Sequence, residues 1–446
     1  MSLYRAGIVF PRCSSLCLLI TVYAILFAVA GVLLLQLRYS RRVATKPSNY
    51  DDSYLWEVEG WYSNESGLRW PVAAERHLFG CLSLRELTDL EFVAAGWTKA
   101  VYKGTFRGQN VAVKTVNLNG KDMRECDASM SVCYRRAAAK ILKEIVLLTE
   151  LAHDNVVTVI GSCVPETVGP VAIVTELGEP LDTVRLLQLS WEDRLRLALG
   201  IAHILHHLAT SPLGSLSMND FRRQQFVLVG GTLKLSDVDD IGVGEPECAT
   251  DDDCIIQAEG GHNGTREIHL NCHNSHCVGY NERLNVLRAG QHFISLFLPL
   301  SAPASLEPQV QELLRAYKEP GTWETAHILS ATQHLVHKFA SGEYLQRHIP
   351  QPPSLDSLGF EKLRDRDLPG EFDYHCHHSS SSVVCIKSVM NEIEAAEICA
   401  KDAGCRAVVI GHEYTWTGRT LAVFKNGCSL PSERKGYTLL IKKDEV

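Results

Sequence analysis

The sequence predicts an α+β fold in which two lobes are followed by a small cysteine-rich module. Strand-like runs interrupted by one helical stretch fill residues 85–180, a pattern typical of a sheet with one packed helix. The chain is mainly helical over 181–350, and residues 371–446 hold closely spaced cysteines, as disulfide-stapled modules do. A chain of 446 residues is long enough to bury the core of such an assembly.

Residues 1–42 contain the uncharged apolar stretch 13–37, which arginines flank on both sides. They are predicted to form a signal peptide or an uncleaved signal anchor, because about 20 apolar residues span a bilayer. If uncleaved, residues 13–37 are the one membrane contact that we expect. The polar residues 43–84 are predicted to form a stem. The net charge of −8 argues against a dedicated nucleic-acid binder.

The cysteines and the glycosylation sequons indicate an oxidising compartment. The arginines that follow the apolar stretch favour a cytosolic location for the rest of the chain. Against this, all fifteen cysteines except Cys13 and Cys17 lie beyond the stretch, and sequons begin at Asn64 and Asn263. We therefore expect a luminal or extracellular protein. At least one cysteine should lack an intramolecular partner, because the number beyond the stretch is odd.

Hydrophobic patterns define the elements of the first lobe. Short runs rich in β-branched and aromatic residues predict strands, and a longer run with apolar residues three and four apart predicts a helix. The strands are predicted over 91–96, 100–106, 111–116, 156–160 and 171–177, and the helix over 134–151.

The second lobe begins with a predicted helix over 191–208, with Ser190 as its N-cap. Further along, strand-like residues 226–229 and 232–235 flank two glycines, a pair that accommodates the positive φ angles of a tight hairpin turn. The proline-rich residues 351–370 are predicted to form a linker to the module.

Acidic residues bracket this hairpin, with Asp220 before it and Asp237 after it. Strand pairing would bring them to the same end, where clustered carboxylates suit a divalent cation. In the first lobe, Lys114 lies on a strand and Glu144 on the helix. A strand lysine held by a helix glutamate is the phosphate clamp of protein kinases. The order of these parts therefore predicts a bilobal protein-kinase-like fold.

Phosphoryl transfer requires that the phosphates are held, that their charge is neutralised and that the acceptor hydroxyl is aligned. We assign Lys114 to the phosphates of ATP, Glu144 to the orientation of Lys114, and Asp220 to the hydroxyl proton. Gln225 and Asp237 are assigned to Mg²⁺ or Mn²⁺. Phosphate-loop and hinge residues complete the predicted ATP site: Ala94, Ala95, Gly96, Trp97, Thr98, Lys99, Ala100, Val101, Glu176 and Leu177.

The predicted site departs from the usual kinase sequence at several positions. The phosphate loop, residues 94–101, keeps one glycine, so fewer backbone donors are expected. Met-Asn-Asp stands at 218–220 where His-Arg-Asp is usual, and Asp-Val-Asp stands at 237–239 where Asp-Phe-Gly is usual. Gln225 replaces an asparagine. The missing arginine removes the usual reader of a phosphorylated activation loop, which favours constitutive activity.

Longer stretches match one family. They include Trp-Glu-Asp-Arg at 191–194, Asp-Phe-Arg at 220–222, Gln-Phe-Val-Leu-Val at 225–229 and Asp-Val-Asp-Asp at 237–240. Through them the chain resembles the vertebrate lonesome kinases, from about Gly80 to the carboxy terminus. The resemblance implies ATP-dependent phosphorylation of tyrosine in secreted and extracellular-matrix proteins, residence in the Golgi lumen, and secretion.

Two other interpretations stay open. The reduced phosphate loop favours a pseudokinase that acts as a secreted binding module, whereas the joint presence of Lys114, Glu144, Asp220 and Asp237 opposes it. A luminal kinase that acts on glycans is the second alternative, because the sequence does not reveal the acceptor pocket.

The cysteines that follow Asp237 allow two interpretations. Their neighbouring histidines suggest zinc, but an oxidising lumen favours disulfides. We therefore expect disulfides to staple this segment through Cys248, Cys254, Cys272 and Cys277.

Overall fold

A computed structural model of the chain describes residues 79–165, 169–260, 264–345, 353–376, 379, 381 and 383–443. The predicted signal segment, most of the predicted stem, and the sequon residues Asn64 and Asn263 lie outside these residues. Within the described part, no helix combines the length and the apolar character needed to cross a membrane.

The first lobe is built on a five-stranded antiparallel sheet with the order β1-β2-β3-β5-β4. The long helix α2 packs against β3, β4 and β5, because one of its faces buries apolar residues such as Ala138, Ile141 and Leu148. The elements are β1 (Thr88–Ala95), β2 (Lys99–Phe106), β3 (Gln109–Val116), α1 (Lys121–Arg124), α2 (Met130–Glu150), β4 (Val159–Cys163) and β5 (Ala172–Glu176).

The lobe begins earlier than the predicted boundary at residue 85. A 3₁₀ turn spans Cys81–Glu86, and the Cys81–Cys163 disulfide joins it to β4. Phe79 is buried and forms a bridge with Gly161. Residues 79–84 are therefore part of the lobe and not of a stem, because both a covalent bond and backbone pairing hold them there.

Helix α4 is the centre of the second lobe and contacts β9, α5 and α7. Ser190 caps it as predicted, since its side chain accepts a hydrogen bond from the backbone N–H of Asp193. The elements are β6 (Glu179–Pro180), α3 (Thr183–Gln188), α4 (Trp191–Ala209), β7 (Leu216–Met218), β8 (Phe226–Val229), β9 (Thr232–Leu235), β10 (Ile241–Val243), α5 (Tyr280–Ala289), α6 (Glu307–Lys318) and α7 (Thr325–Ser341).

The predicted hairpin is confirmed. Strands β8 and β9 pair antiparallel, and Gly230 and Gly231 adopt φ angles of 56° and 76°. Residues with a Cβ rarely take these angles. The turn therefore depends on the two glycines.

Disulfides staple the segment between β10 and α5, as predicted. Cys248 pairs with Cys272, and Cys254 pairs with Cys277. The segment forms two small hairpins, and both disulfides join the second hairpin to the residues before the first. These hairpins are formed by β11 (Ile255–Gly260), β12 (Gly264–His269), β13 (Cys272–His273) and β14 (His276–Cys277).

The carboxy-terminal module is a second five-stranded antiparallel sheet, with the order β15-β19-β17-β18-β16 and helix α8 on one face. Two disulfides lie within it, Cys376–Cys385 and Cys399–Cys405. Cys428 is the one described cysteine without a disulfide. The elements are β15 (Phe360–Asp367), β16 (Ile386–Val389), α8 (Glu392–Lys401), β17 (Ala407–Tyr414), β18 (Thr420–Lys425) and β19 (Ser432–Lys442).

The linker predicted over 351–370 is wrong for its second half. Residues Phe360–Asp367 form β15, which pairs with β19 from Phe360 to Asp367. The linker is shorter than predicted, because backbone pairing incorporates these residues into the sheet of the module.

Candidate active site

The predicted lysine–glutamate pair is present. Strand β3 carries Lys114 and helix α2 carries Glu144 on its buried face. The Nζ atom of Lys114 lies 2.6 Å from Oε1 of Glu144 and donates also to the carbonyl of Ser236 at 2.5 Å. The pair is buried, with the Lys114 side chain 6% and the Glu144 side chain 0% exposed. The amine of Lys114 on β3 therefore contacts both helix α2 and Ser236, the residue before Asp237.

A second lysine shares this glutamate. The Nζ atom of Lys99 lies 2.5 Å from Oε2 of Glu144, 2.5 Å from Oδ1 of Asp237 and 3.3 Å from Oδ2 of Asp239. The sequence assigned Lys99 only to the phosphate loop. Its place beside Lys114 follows from the strand register: Val101 pairs with Lys114, so Lys99, two residues before Val101, is on the same face of the sheet.

These contacts shift the pKa values of the charged groups in the site. Burial alone would lower the pKa of Lys99, but the carboxylates of Glu144, Asp237 and Asp239 outweigh burial and raise it. Burial would raise the pKa of Asp237, yet Lys99 and Lys114 hold it below its usual range. Burial and the charge of Asp237 raise the pKa of Asp239 to about 7, against the effect of Lys99. The Asp237 carboxylate therefore remains charged at neutral pH.

The turn of the phosphate loop is fixed to helix α1. The backbone N–H of Gly96 donates to the carbonyl of Lys99 at 2.8 Å, which closes the turn. Thr98 donates to Asp122 at 2.5 Å, and Lys140 of α2 donates to the same carboxylate at 2.6 Å. Ala94 and Ala95 lie on β1, Trp97 in the turn, and Ala100 and Val101 on β2.

The predicted catalytic loop follows β7. Asp220 accepts a hydrogen bond from Nε2 of Gln225 at 2.6 Å, and both of its oxygens contact the guanidinium of Arg222. The backbone N–H groups of Ser236 and Asp237 donate to the carbonyl of Gln225 at 2.8 and 3.2 Å. The hairpin thereby brings the residue after it back to the loop before it.

Helix α5 forms hydrogen bonds with the backbone that precedes Asp220, a role that the sequence did not predict. Asn285 accepts from the N–H of Met218 at 2.8 Å and donates to the carbonyl of Leu216 at 2.8 Å. Arg288 donates to the carbonyls of Met218 and Asn219. The sequence around Asn285 and Arg288 does not reveal these partners, because the partners lie far away in the chain.

A small cavity is lined by Gln225 and Asp237, the two residues predicted to bind metal. Asp220, Asp239 and Asp240 also line it. Carboxylate and amide oxygens are the ligands that Mg²⁺ and Mn²⁺ take in proteins. The donor set therefore fits a divalent cation.

The predicted hinge residues lie where the lobes are joined. Oε1 of Glu176 accepts from the N–H of Thr158 and from Nζ of Lys234, each at 2.7 Å. Leu177 follows Glu176 and is half-buried. The Glu176 side chain thus links the end of the first sheet to β9 of the second lobe.

A larger cavity, of about 340 Å³, lies on the module. Residues of β17 and β18 line it, as do Asp373 and Lys425, which form an ion pair. None of the predicted catalytic or metal-binding residues lines this cavity.

The two lobes, the strand lysine paired with a helix glutamate and the aspartates on either side of the hairpin define a protein of the protein-kinase-like class. The predicted α+β bilobal fold with a disulfide-rich module is confirmed. No family model matches the chain. The chain is 40% identical over 361 residues to the human extracellular tyrosine-protein kinase PKDCC, which covers 78% of this chain and 70% of that protein. The chain belongs to the PKDCC family of protein kinases, which confirms the resemblance seen in the sequence.

More distant similarities are shorter. A probable serine/threonine-protein kinase of Dictyostelium discoideum, roco9, is 33% identical over 126 residues, which is 27% of this chain and 3% of that protein. A solved apo pseudokinase is 14% identical, with a TM-score of 0.38, and the match covers 58% of this chain and 95% of that one.

Proposed function

We propose that the protein is an active kinase that transfers the γ-phosphate of ATP to tyrosine hydroxyls of secreted and extracellular-matrix proteins. The observation that carries this proposal is the joint retention of Lys114, Glu144, Asp220 and Asp237 around one cleft. Binding of ATP alone would not require Asp220, whose assigned partner is the acceptor hydroxyl.

In the proposed reaction Lys114 binds phosphate oxygens of ATP, and Glu144 fixes the position of the lysine amine. Asp220 accepts the proton of the acceptor hydroxyl. A new bond forms between that oxygen and the γ-phosphorus, the bond to the β–γ bridging oxygen breaks, and ADP leaves. Mg²⁺ or Mn²⁺, held by Asp237 and Gln225, neutralises phosphate charge when bound.

Tyrosine specificity and the extracellular setting are part of the proposal. The human relative is named an extracellular tyrosine-protein kinase. The six disulfides of the described residues, among them Cys81–Cys163, support an oxidising compartment. We therefore propose residence in the Golgi lumen followed by secretion, with glycans at Asn64 and Asn263.

The test is transfer of ³²P from γ-labelled ATP, with Mn²⁺ or Mg²⁺, to a pooled secretome by the purified full-length protein. Lys114→Met and Asp220→Ala are the inactive variants, and Asp252→Ala, an exposed residue outside the cleft, is the matched control. We expect phosphotyrosine with the wild type and the control only. Phosphoserine, phosphothreonine or labelled glycans that both inactive variants lose would overturn the tyrosine assignment.

One observation favours a secreted pseudokinase as a second candidate. The amine of Lys99 forms ion pairs with Asp237 and Asp239, where a divalent cation is expected. In that case the protein would bind ATP and transfer no label above the Lys114→Met background.

A further inference from the structure

The assignment of Lys99 to the phosphate loop does not explain its contacts with three carboxylates. A lysine ammonium has three N–H donors, and Lys99 has three carboxylate neighbours, on Glu144, Asp237 and Asp239. The side chain is 8% exposed. The amine hydrogen bonds to Glu144 and Asp237 and forms an ion pair with Asp239, so its charge faces the acidic cluster.

The backbone of Lys99 is held as firmly as its amine. Its carbonyl closes the loop turn by accepting from Gly96, and the preceding residue, Thr98, is bound to Asp122. Lys99 pairs with Val116 at the end of β3. Because this backbone is fixed, the ammonium group of Lys99 has a fixed position beside the carboxylates.

Charge explains why a cation is needed there. Three carboxylates converge, and Lys114 contacts only Glu144 among them. Without Lys99, the aspartates Asp237 and Asp239 would face each other with no cation in contact, an arrangement that a buried site tolerates poorly. In protein kinases the aspartate equivalent to Asp237 and the asparagine equivalent to Gln225 hold two divalent cations.

We propose that Lys99 is a second phosphate-binding lysine that takes the place of one divalent cation between Asp237 and Asp239, so that a single divalent cation accompanies the nucleotide. This inference rests on the proposed function, because it assumes that ATP and a metal enter the site. The amine neutralises the aspartates before ATP binds and turns one donor toward a phosphate oxygen afterwards.

The first test needs only the wild type. Mn²⁺ bound per protein is counted by electron paramagnetic resonance with a saturating non-hydrolysable ATP analogue. We expect one Mn²⁺ per chain. Two would overturn the proposal.

The second test compares variants without nucleotide. Because Lys99→Met removes a positive charge from the acidic cluster, the affinity for Mn²⁺ alone should rise roughly tenfold or more. Lys103→Met is the control, since Lys103 lies on the same strand and is exposed. Lys99→Arg keeps the charge and should keep the low affinity. An affinity for Mn²⁺ that Lys99→Met leaves unchanged or lowers would contradict the proposal.

Both measurements are independent of phosphoryl transfer. If Lys99→Met folds only in the presence of Mn²⁺, the metal replaces the missing amine, which supports the proposal. If the counts and affinities are as expected but no transfer occurs, the proposed enzymatic function fails while the assignment of Lys99 stands.

Discussion

The guanidinium of Arg419 lies over the ring of Phe339, 4.3 Å from its centroid, and donates to the main-chain carbonyl of the same residue at 3.1 Å. Arg419 belongs to the module and Phe339 to α7 of the second lobe. The guanidinium also contacts Glu394 of α8, and the arginine is 1% exposed. Module and kinase-like lobe are therefore joined by a buried hydrogen bond and a cation–π contact of Arg419, whose ion pair with Glu394 lies within the module.

Arg419→Ala is expected to lower the free energy of unfolding by about 3–5 kcal/mol, because it leaves the carboxylate of Glu394 buried without its cation. Urea unfolding followed by tryptophan fluorescence measures the change. The matched control is Arg434→Ala, since Arg434 is in the same module and its side chain is 53% exposed. Its effect should stay below about 1 kcal/mol. Equal losses for the two variants would show that the buried pair has no special role.

Removal of the buried Cys254–Cys277 disulfide by the double change Cys254→Ser/Cys277→Ser should cost about 3 kcal/mol. The double change should also slow phosphoryl transfer, because the segment that this disulfide staples follows β10, and β10 pairs with β7, the strand before Asp220. The comparison variant is Cys376→Ser/Cys385→Ser, which removes a disulfide from the module. We expect it to destabilise the protein and to leave transfer near the wild-type rate. A fully active Cys254 variant would contradict a positioning role for the staple.

Asn285→Ala should lower kcat about tenfold and leave the KM for ATP nearly unchanged. The change removes two hydrogen bonds to β7, and each buried backbone group left without a partner costs about 1–3 kcal/mol. Asp220 follows β7 and would lose its fixed position, whereas Lys114 would not. Gln311→Ala, at an exposed position on α6, is the control. A rise in KM with unchanged kcat would assign Asn285 to nucleotide binding instead.

The parts that sequence predicted well depend on local patterns. The hairpin follows from two glycines between strand-like runs, and the Lys114–Glu144 pair follows from one strand and one helix. Strand β4 begins at Val159 and not at 156, because Val156 instead forms a bridge with Leu235 at the end of β9. In this bridge the N–H of Val157 donates to the carbonyl of Leu235, and the N–H of Leu235 donates to the carbonyl of Asn155. Such a partner lies in another lobe, and a hydrophobic run does not reveal it.

Strand β15 escaped prediction for a different reason. Its residues, Phe360–Asp367, are mostly charged and exposed, so they lack the alternation that marks a half-buried strand. It is an edge strand, and charged edges protect a sheet from pairing with other chains. The contacts of Lys99 with Asp237 and of Asn285 with Met218 join residues far apart in the chain. Only the folded structure brings these partners together.

The stability of the protein should fall as the pH drops below about 6.5, and His153 is a named cause. Burial, followed by the charges of His207 and His203, lowers the pKa of His153. The unfolded chain then binds more protons than the folded one below the ordinary histidine pKa of about 6.5. The contribution is therefore complete above that pH and is lost as the pH falls through the folded-state pKa.

The hydrogen bond of His153 predicts the same direction of the pH effect on stability. Nδ1 of His153 accepts a hydrogen bond from the backbone N–H of Asn155 at 3.0 Å, and the ring stacks on His207 at 4.6 Å. A proton on Nδ1 would face that donor. His153→Asn keeps an acceptor and does not titrate, so its melting temperature should fall less between about pH 7.5 and about pH 5.5 than that of the wild type. His334→Asn, at an exposed position, should follow the wild type. If all three proteins lose the same number of degrees, the acid sensitivity arises elsewhere in the chain.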